Sequence, residues 1–228
     1  MSYLISLKLK AETHYRFRQI HQQLNEGKTE SLAKALGEVL ADISCEIVDQ
    51  VFGEIARLSG SGDGESNRVV QQILDTVRKY LPWSVSFFGN DRLMPMVNYL
   101  IEMAHEKNDQ HYISYAVDHV LVVELLACME QVKRGNHHYI APTLKVFTEM
   151  VDQGVTDLVR EPKKILKFNL VVDKTLNGVI HLTTQMGYNH LEKLGAYYDA
   201  QEMHRYLDHF MMFLHQMPKN DRSNHSEI

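Results

Sequence analysis

The sequence predicts an all-α fold, a single-domain antiparallel bundle of about eight helices. Three observations support this fold class. Apolar residues recur every three or four positions through most of the 228-residue chain, which is the spacing of a buried helical face. Glycine, proline and asparagine separate these periodic segments. The connections between the segments are short, and short connections favour antiparallel neighbours in a bundle.

The first segment of the chain carries two overlapping patterns. Tyr3, Ile5, Leu7 and Leu9 alternate with other side chains as they would in a strand. From Leu9 onward the apolar residues follow helical spacing, and we expect a helix over residues 9–25. The sequence leaves open whether the first ten residues pair as a short N-terminal strand.

The second predicted helix, residues 29–58, has apolar residues on two neighbouring stripes. The first stripe contains Leu36, Leu40, Ile43, Ile47 and Val51. The second contains Ala41, Cys45, Val48, Phe52 and Ile55. Together the stripes cover more than half of the helix circumference, which is more than one core contact needs. Either this helix is central to the fold, or the second stripe is an interface with another chain, and we predict a homodimer interface there.

The remainder of the predicted domain, up to residue 217, consists of helices separated by glycine or proline. Residues 59–67 are rich in glycine and serine and predict a flexible loop that sets off an N-terminal helical hairpin. Pro82 is expected to end the helix that follows this loop. The predicted helices after the loop span residues 67–81, 90–106, 109–133, 142–159, 162–186 and 188–217. Residues 218–228 are expected to form a mobile tail.

Composition narrows the class of protein. The net charge of −5 does not favour nucleic-acid binding. Cys45 and Cys128 lie within apolar helical patterns, so we predict buried, unpaired thiols in a reducing compartment. The start of the chain does not resemble a secretory signal, and the longest nearly apolar run, residues 120–129, is too short to span a bilayer. We therefore expect a soluble cytoplasmic protein without membrane contact.

The common signatures of catalysis and cofactor binding are missing from the sequence. There is no phosphate-binding loop, no His-Glu-x-x-His, no Cys-x-x-Cys and no Gly-x-Ser-x-Gly nucleophile elbow. We therefore expect no cofactor. Whether the protein is an enzyme stays open at this point, although a non-catalytic function is favoured.

The thirteen histidines raise the question of a metal site. Glu102 and His105 have the spacing of a carboxylate and an imidazole on one helical face, but a single such pair is typical of a surface contact. His204, Asp208 and His215 share a face of the last predicted helix, pointing away from its core stripe. We expect no metal, and keep a site on the last helix as a third hypothesis.

Glu124 is the candidate ligand-binding residue. It falls on an apolar stripe with Val120 and Ala127, and its neighbours along the chain are apolar in every direction. A helix that is apolar all round is usually buried, and a buried carboxylate must be paired, hydrogen-bonded or protonated. One interpretation is a buried structural ion pair or hydrogen bond; the other is a polar group that lines a ligand pocket.

A basic cluster surrounds the start of one predicted helix. Its members are Arg160, Lys163, Lys164, Lys167 and Lys174. A solvated helix face is the simpler interpretation, and contact with phosphate or nucleic acid is the alternative.

Two classes of function follow from these patterns. The leading hypothesis is a cytoplasmic regulatory protein that acts through protein–protein contacts as a homodimer. The alternative is a helical bundle that binds a small molecule or a metal, conceivably as an enzyme, with a pocket polarised by Glu124. A closed apolar pocket of a few hundred Å³ would favour the alternative, whereas an exposed apolar patch would favour the interaction protein.

Overall fold

The computed structural model describes residues 2–53, 64–197 and 199–217. Most of these residues are helical, as predicted, but a small four-stranded sheet departs from the all-α class. The strands are β1 (Tyr3–Leu9), β2 (Ala104–Lys107), β3 (Gln110–Val117) and β4 (Leu214–Gln216). Their order across the sheet is β2-β3-β1-β4, and every neighbouring pair is antiparallel.

The N-terminal segment forms a central strand of this sheet. β1 pairs with β3 from Tyr3 opposite Val117 to Leu9 opposite His111. Its alternating side chains Ile5 and Leu7 lie in the core, almost fully buried. The short strand that the first residues allowed is therefore confirmed.

The helix predicted over residues 109–133 is wrong in its first part. Residues 110–117 form β3, and the helix begins only at His119. Asn108 and Asp109, both with positive φ, make the two-residue turn between β2 and β3. The strand was missed because Ile113, Ala116 and Val117 satisfy helical spacing in the sequence, although Ile113, Tyr115 and Val117 also alternate.

Helices pack against the sheet. Their bounds are α1 Ala11–Asn25, α2 Ala33–Val48, α3 Gly64–Val85, α4 Asn90–Ile101, α5 His119–Lys133, α6 Ile140–Val155, α7 Glu161–Leu166, α8 Leu170–Tyr197 and α9 Ala200–Met211. A π-helical segment, Asp49–Gly53, continues α2. A second, Thr156–Arg160, joins α6 to α7. A 3₁₀ turn, His137–Tyr139, precedes α6.

Several predicted helix ends need correction. α3 continues through Pro82 to Val85, and it begins at Gly64, inside the predicted loop over residues 59–67. The predicted last helix is divided into the end of α8, then α9, then β4. Residues 54–63, which contain the rest of the predicted loop, and the predicted tail at residues 218–228 lie outside the described part of the chain.

The close approach of α2 and α3 depends on a glycine. A Cβ atom on Gly37 would lie 2.6 Å from Cα of Pro82, closer than non-bonded atoms can come. On the same side of α2, the Cys45 thiol faces the backbone carbonyl of Leu74 at 4.0 Å. Both cysteines are buried and free, as the sequence predicted. No helix in the described ranges is long and apolar enough to cross a membrane.

Candidate functional site

A cavity of about 240 Å³ lies between the sheet and helices α2, α3, α6 and α8. We call it the apolar cavity, because most of its lining side chains are aliphatic or aromatic. They include Leu40, Val48, Phe52, Ile73, Val77 and Leu158. The sheet contributes Leu7 and Tyr115 to the lining. The cavity therefore has the size and chemistry of a small-molecule site.

Both π-helical segments border the apolar cavity. The first supplies Val51 and Phe52, and the second supplies Leu158 and Val159. Phe52 reaches across to α8, where a Cβ on Gly187 would lie 3.3 Å from its Cζ atom. π-Helical turns are rare and occur frequently at functional sites. Two of them on one cavity mark it as the best candidate site.

The hydroxyl side chains in the lining add little polarity to the cavity. Thr76, Ser84 and Thr183 each donate a hydrogen bond to a carbonyl of their own helix, at 2.7–2.8 Å. Their hydroxyl protons are therefore directed at the backbone, which leaves mainly methyl and methylene groups for an occupant.

Tyr115 is the main polar group at the sheet side of the cavity. Only 4% of the residue is exposed. Burial raises the pKa of its phenol well above the usual value, and the nearby Asp157 acts in the same direction. Burial likewise raises the pKa of the Asp157 carboxyl. Tyr115 therefore stays a neutral phenol at physiological pH, able to donate a hydrogen bond.

A second cavity, of about 310 Å³, adjoins the first and has polar walls. We call it the polar chamber. Its charged lining residues are Asp152, Arg160, Lys163 and Lys164, and its neutral polar ones are Asn177, His181, Thr184, Gln185 and Tyr188. Lys163, Ile180 and Thr184 line both cavities. The apolar space and the polar space therefore share a wall.

Asp152 organises one side of the polar chamber. Arg160 donates two hydrogen bonds to its carboxylate, at 2.7 and 2.8 Å, and the hydroxyl of Tyr188 donates a third at 2.5 Å. The bonds from Arg160 hold the pKa of the Asp152 carboxyl below its usual range. This network ties the second π-helical segment to α6 and α8, so the position of Arg160 is fixed by three elements.

The two lysines of the chamber form ion pairs with carboxylates that lie outside its lining. Lys163 forms an ion pair with Asp173, which also accepts a hydrogen bond from the Asn177 amide at 2.9 Å. Lys164 pairs with Glu161 at 2.5 Å. Asp173 and Glu161 lie outside the chamber lining. The side chain of Lys163 is 14% exposed, and that of Lys164 is 66% exposed.

Glu124 is not where the sequence placed it. It is exposed on α5 and lies outside both cavity linings. The expectation of a buried carboxylate was wrong because α5 buries one face only, with Val122, Leu125 and Met129 inward. The ligand-binding role proposed for Glu124 depended on that burial.

The second stripe of α2 lies inside the chain. Ala41, Cys45 and Phe52 are buried, and Val48 is half-buried, while Ile55 falls outside the described residues. Val48 and Phe52 line the apolar cavity. Of the two alternatives raised by the sequence, the structure therefore favours a helix that is central to the fold. The four described residues of the predicted dimer interface therefore form no exposed stripe.

The basic cluster was the feature of the sequence that pointed to residues of the polar chamber. Arg160, Lys163 and Lys164 line it, whereas Lys167 and Lys174 do not. The sequence held no comparable signal for Tyr115, because the helix predicted over residues 109–133 concealed the strand on which it lies.

In each of the two candidate metal sites, the fold separates residues that were predicted to share one helix. His204 and Asp208 are in contact on α9 at 3.0 Å, but His215 lies on β4. Glu102 follows the end of α4, and His105 lies on β2. Within the described ranges, no group of three or more histidine, cysteine or acidic residues is arranged to hold a metal ion.

Comparison with known proteins finds no family, curated protein or solved structure that matches this chain.

Proposed function

We propose that this protein binds a small molecule and holds its apolar part in the apolar cavity. The observation that carries the proposal is a cavity of about 240 Å³ with an almost wholly apolar lining. This is the second class of function that the sequence suggested. Tyr115, rather than Glu124, supplies the polar group of the cavity.

Burial of apolar surface supports an apolar occupant. Apolar groups gain about 25 cal/mol for each Å² of accessible surface that is removed from water. The cavity offers an occupant aliphatic and aromatic side chains of the sheet and of the surrounding helices. A hydrocarbon group in the cavity is therefore favoured over one that remains in water.

The size of the cavity limits the group that it can hold. An engineered apolar cavity of about 150 Å³ is large enough to hold benzene. The cavity here is larger, at about 240 Å³, and suits a short hydrocarbon chain or a substituted ring. The phenol of Tyr115 can donate a hydrogen bond to an oxygen of that ligand.

Binding of a neutral apolar fluorophore, N-phenyl-1-naphthylamine, tests the proposal. We expect its emission to rise on addition of the protein, and the affinity to fall at least tenfold in the double variant Val77→Phe, Val179→Phe. Both residues line the cavity, so the added rings occupy its volume.

The matched control is Val120→Phe, Val123→Phe, which adds the same rings on the exposed face of α5. Circular dichroism and a thermal midpoint establish that both double variants are folded. Equal affinity in the two double variants would place the fluorophore elsewhere and remove the support for the proposal.

A homodimeric interaction protein is the second candidate function, and we propose α5 as its surface. Val120, Val123 and Leu126 are 66%, 50% and 41% exposed. With Ala127, the exposed residues Val120 and Val123 have the alternating three- and four-residue spacing of a helix–helix seam. A second copy of α5 offers the same seam in an isologous contact.

Light scattering tests this second candidate. We expect a particle of twice 26.4 kDa for the unchanged chain and 26.4 kDa for Val123→Glu. A single-chain mass for the unchanged protein at micromolar concentration would exclude the dimer.

A further inference from the structure

The two cavities lie side by side, one with an apolar lining and the other with a polar lining. Three residues, Lys163, Ile180 and Thr184, belong to both linings. The polar chamber, at about 310 Å³, is slightly larger than the apolar cavity at about 240 Å³. A ligand that extends past these three residues from one cavity into the other would have its apolar part in the apolar cavity and its other end in the polar chamber.

The lining of the chamber holds more cations than carboxylates. Its lining holds the three cations Arg160, Lys163 and Lys164 against one carboxylate, Asp152. That carboxylate already accepts hydrogen bonds from Arg160 and from the hydroxyl of Tyr188. The two lysines are paired as well, Lys163 with Asp173 and Lys164 with Glu161, but both of these carboxylates lie outside the lining. The charged groups that an occupant would meet in the lining are therefore mainly ammonium and guanidinium groups, which favours an anionic head group over a cationic one.

The cations retain donor capacity for an anion. Among the described contacts, the guanidinium of Arg160 directs three hydrogen bonds to Asp152 and Thr156, out of five possible donors. The ammonium of Lys163 directs one of its three donors to Asp173. Each side chain can therefore keep its structural partner and still donate to a ligand oxygen.

Lys163 lies between the two cavities, where it can contact both the apolar part and the head group of a ligand. Its side chain is 14% exposed and lines both cavities. A lysine of this kind lays its methylene stem along apolar surface while its charged end remains in polar surroundings. The ion pair with Asp173 holds the ammonium against α8.

We infer that the ligand is an anionic amphiphile, with its hydrocarbon part in the apolar cavity and its carboxylate or phosphate head in the polar chamber against Lys163 and Arg160. This inference rests on the proposed function, because it presumes that the apolar cavity is occupied. It adds the class of ligand, since a neutral apolar molecule would make no use of the chamber.

Displacement of N-phenyl-1-naphthylamine by a set of eight-carbon compounds tests the inference. The set is octanoate, octyl phosphate, octanol and octyltrimethylammonium, which share one chain and differ in the head. We expect at least one anionic compound to bind tenfold or more tightly than octanol, and octyltrimethylammonium to bind more weakly than octanol. A preference for octanoate over octyl phosphate, or the reverse, identifies the head group.

Two variants locate the head group. We expect Lys163→Met and Arg160→Met each to lose most of the tenfold preference for the anionic compound while the affinity for octanol changes by less than twofold. Methionine keeps the length and apolar character of the stem and removes the charge. The matched control is Lys174→Met, on the exposed side of α8 and outside both linings, which should leave every affinity unchanged.

Ionic strength gives a second measurement on the unchanged chain, in case a variant fails to fold. Raising the salt concentration from 50 mM to 500 mM should weaken the binding of the anionic compound and should not weaken that of octanol. Equal affinity for octanol and both anions, at either salt concentration, would overturn the inference and leave the proposed function standing. Failure of the fluorophore and of all four compounds to bind would overturn both.

Discussion

Gly154 on α6 lies directly against the ring of Tyr115 on β3. A Cβ atom at Gly154 would come within 2.6 Å of Cζ and 2.9 Å of the hydroxyl oxygen of Tyr115. Only a residue without a side chain allows the phenol to lie here, at the wall of the apolar cavity. The position of the one strongly buried phenol of the cavity therefore depends on a glycine two elements away in the chain.

Gly154→Ala should displace the ring of Tyr115. We expect the free energy of unfolding to fall by about 1–3 kcal/mol, because the added methyl group overpacks a buried contact. The affinity for N-phenyl-1-naphthylamine should also change, since the ring lines the cavity. Urea unfolding and fluorescence titration provide the two readouts.

Gly178→Ala is the control for this substitution. Gly178 lies within α8, and a Cβ atom there would meet nothing within 4 Å. Alanine is favoured over glycine in a helix by about 0.5–1 kcal/mol, so this variant should be slightly more stable. A loss of stability in both variants would indicate a helix-wide effect rather than the contact with Tyr115.

The hydroxyls of Ser6 and Ser114 form a buried hydrogen bond across the central strand pair. Ser114 donates to Ser6 at 2.8 Å, and the two residues are opposite each other in the β1–β3 register. Ser6→Ala leaves one buried hydroxyl without its partner and should cost about 1–3 kcal/mol. In a double-mutant cycle, Ser6→Ala, Ser114→Ala should cost less than the sum of the single changes. If the costs of the two single changes add up to the cost of the double change, the hydrogen bond contributes nothing to the free energy of unfolding.

Stability should depend on pH through His14. Its ring is buried and stacks on His111 with centroids 4.4 Å apart. Burial lowers the pKa of His14, and His111 and Arg18 act in the same direction. In the unfolded chain the imidazole binds a proton near its usual pKa of about 6.5. The unfolded state therefore holds more protons just below that pH, and the free energy of unfolding should fall as the pH drops below about 6.5.

The substitution His14→Phe removes the titratable imidazole and keeps an aromatic ring that can stack on His111. Between pH 7.5 and 5.5 its free energy of unfolding should decline less than that of the unchanged chain, as measured by urea unfolding at each pH. His138→Gln, at an exposed histidine, should keep the original dependence. Identical slopes for the unchanged chain and for His14→Phe would assign the pH dependence to groups other than His14.

The start of α9 is held by a capping box. The carboxylate of Asp199 accepts hydrogen bonds from the backbone of Gln201 and Glu202, both at 2.8 Å, and Glu202 accepts from the backbone of Asp199. Asp199→Ala should lower the free energy of unfolding by about 1 kcal/mol, whereas Asp199→Asn should be close to neutral. A loss of equal size in both variants would show that charge, rather than the cap, matters here.

The local pattern of apolar residues was sufficient to predict much of the helical structure. The apolar stripe of α2, the buried thiols of Cys45 and Cys128 and the first helix all followed from periodicity. These features depend on which faces of a segment are apolar, and side-chain order along the chain specifies that directly. The sequence also identified the cations Arg160, Lys163 and Lys164, but as members of a surface cluster.

The sheet and the two cavities were decided by tertiary structure. β3 fits a strand and a helix equally well in sequence, and only pairing with β1, about a hundred residues earlier in the chain, selects the strand. Glu124 looked buried because its neighbours are apolar, yet nothing in the chain covers that face of α5 within the described residues. The sequence by itself determined which side chains avoid water. Which of them meet, and where they leave a space, depends on contacts between distant segments that no local pattern contains.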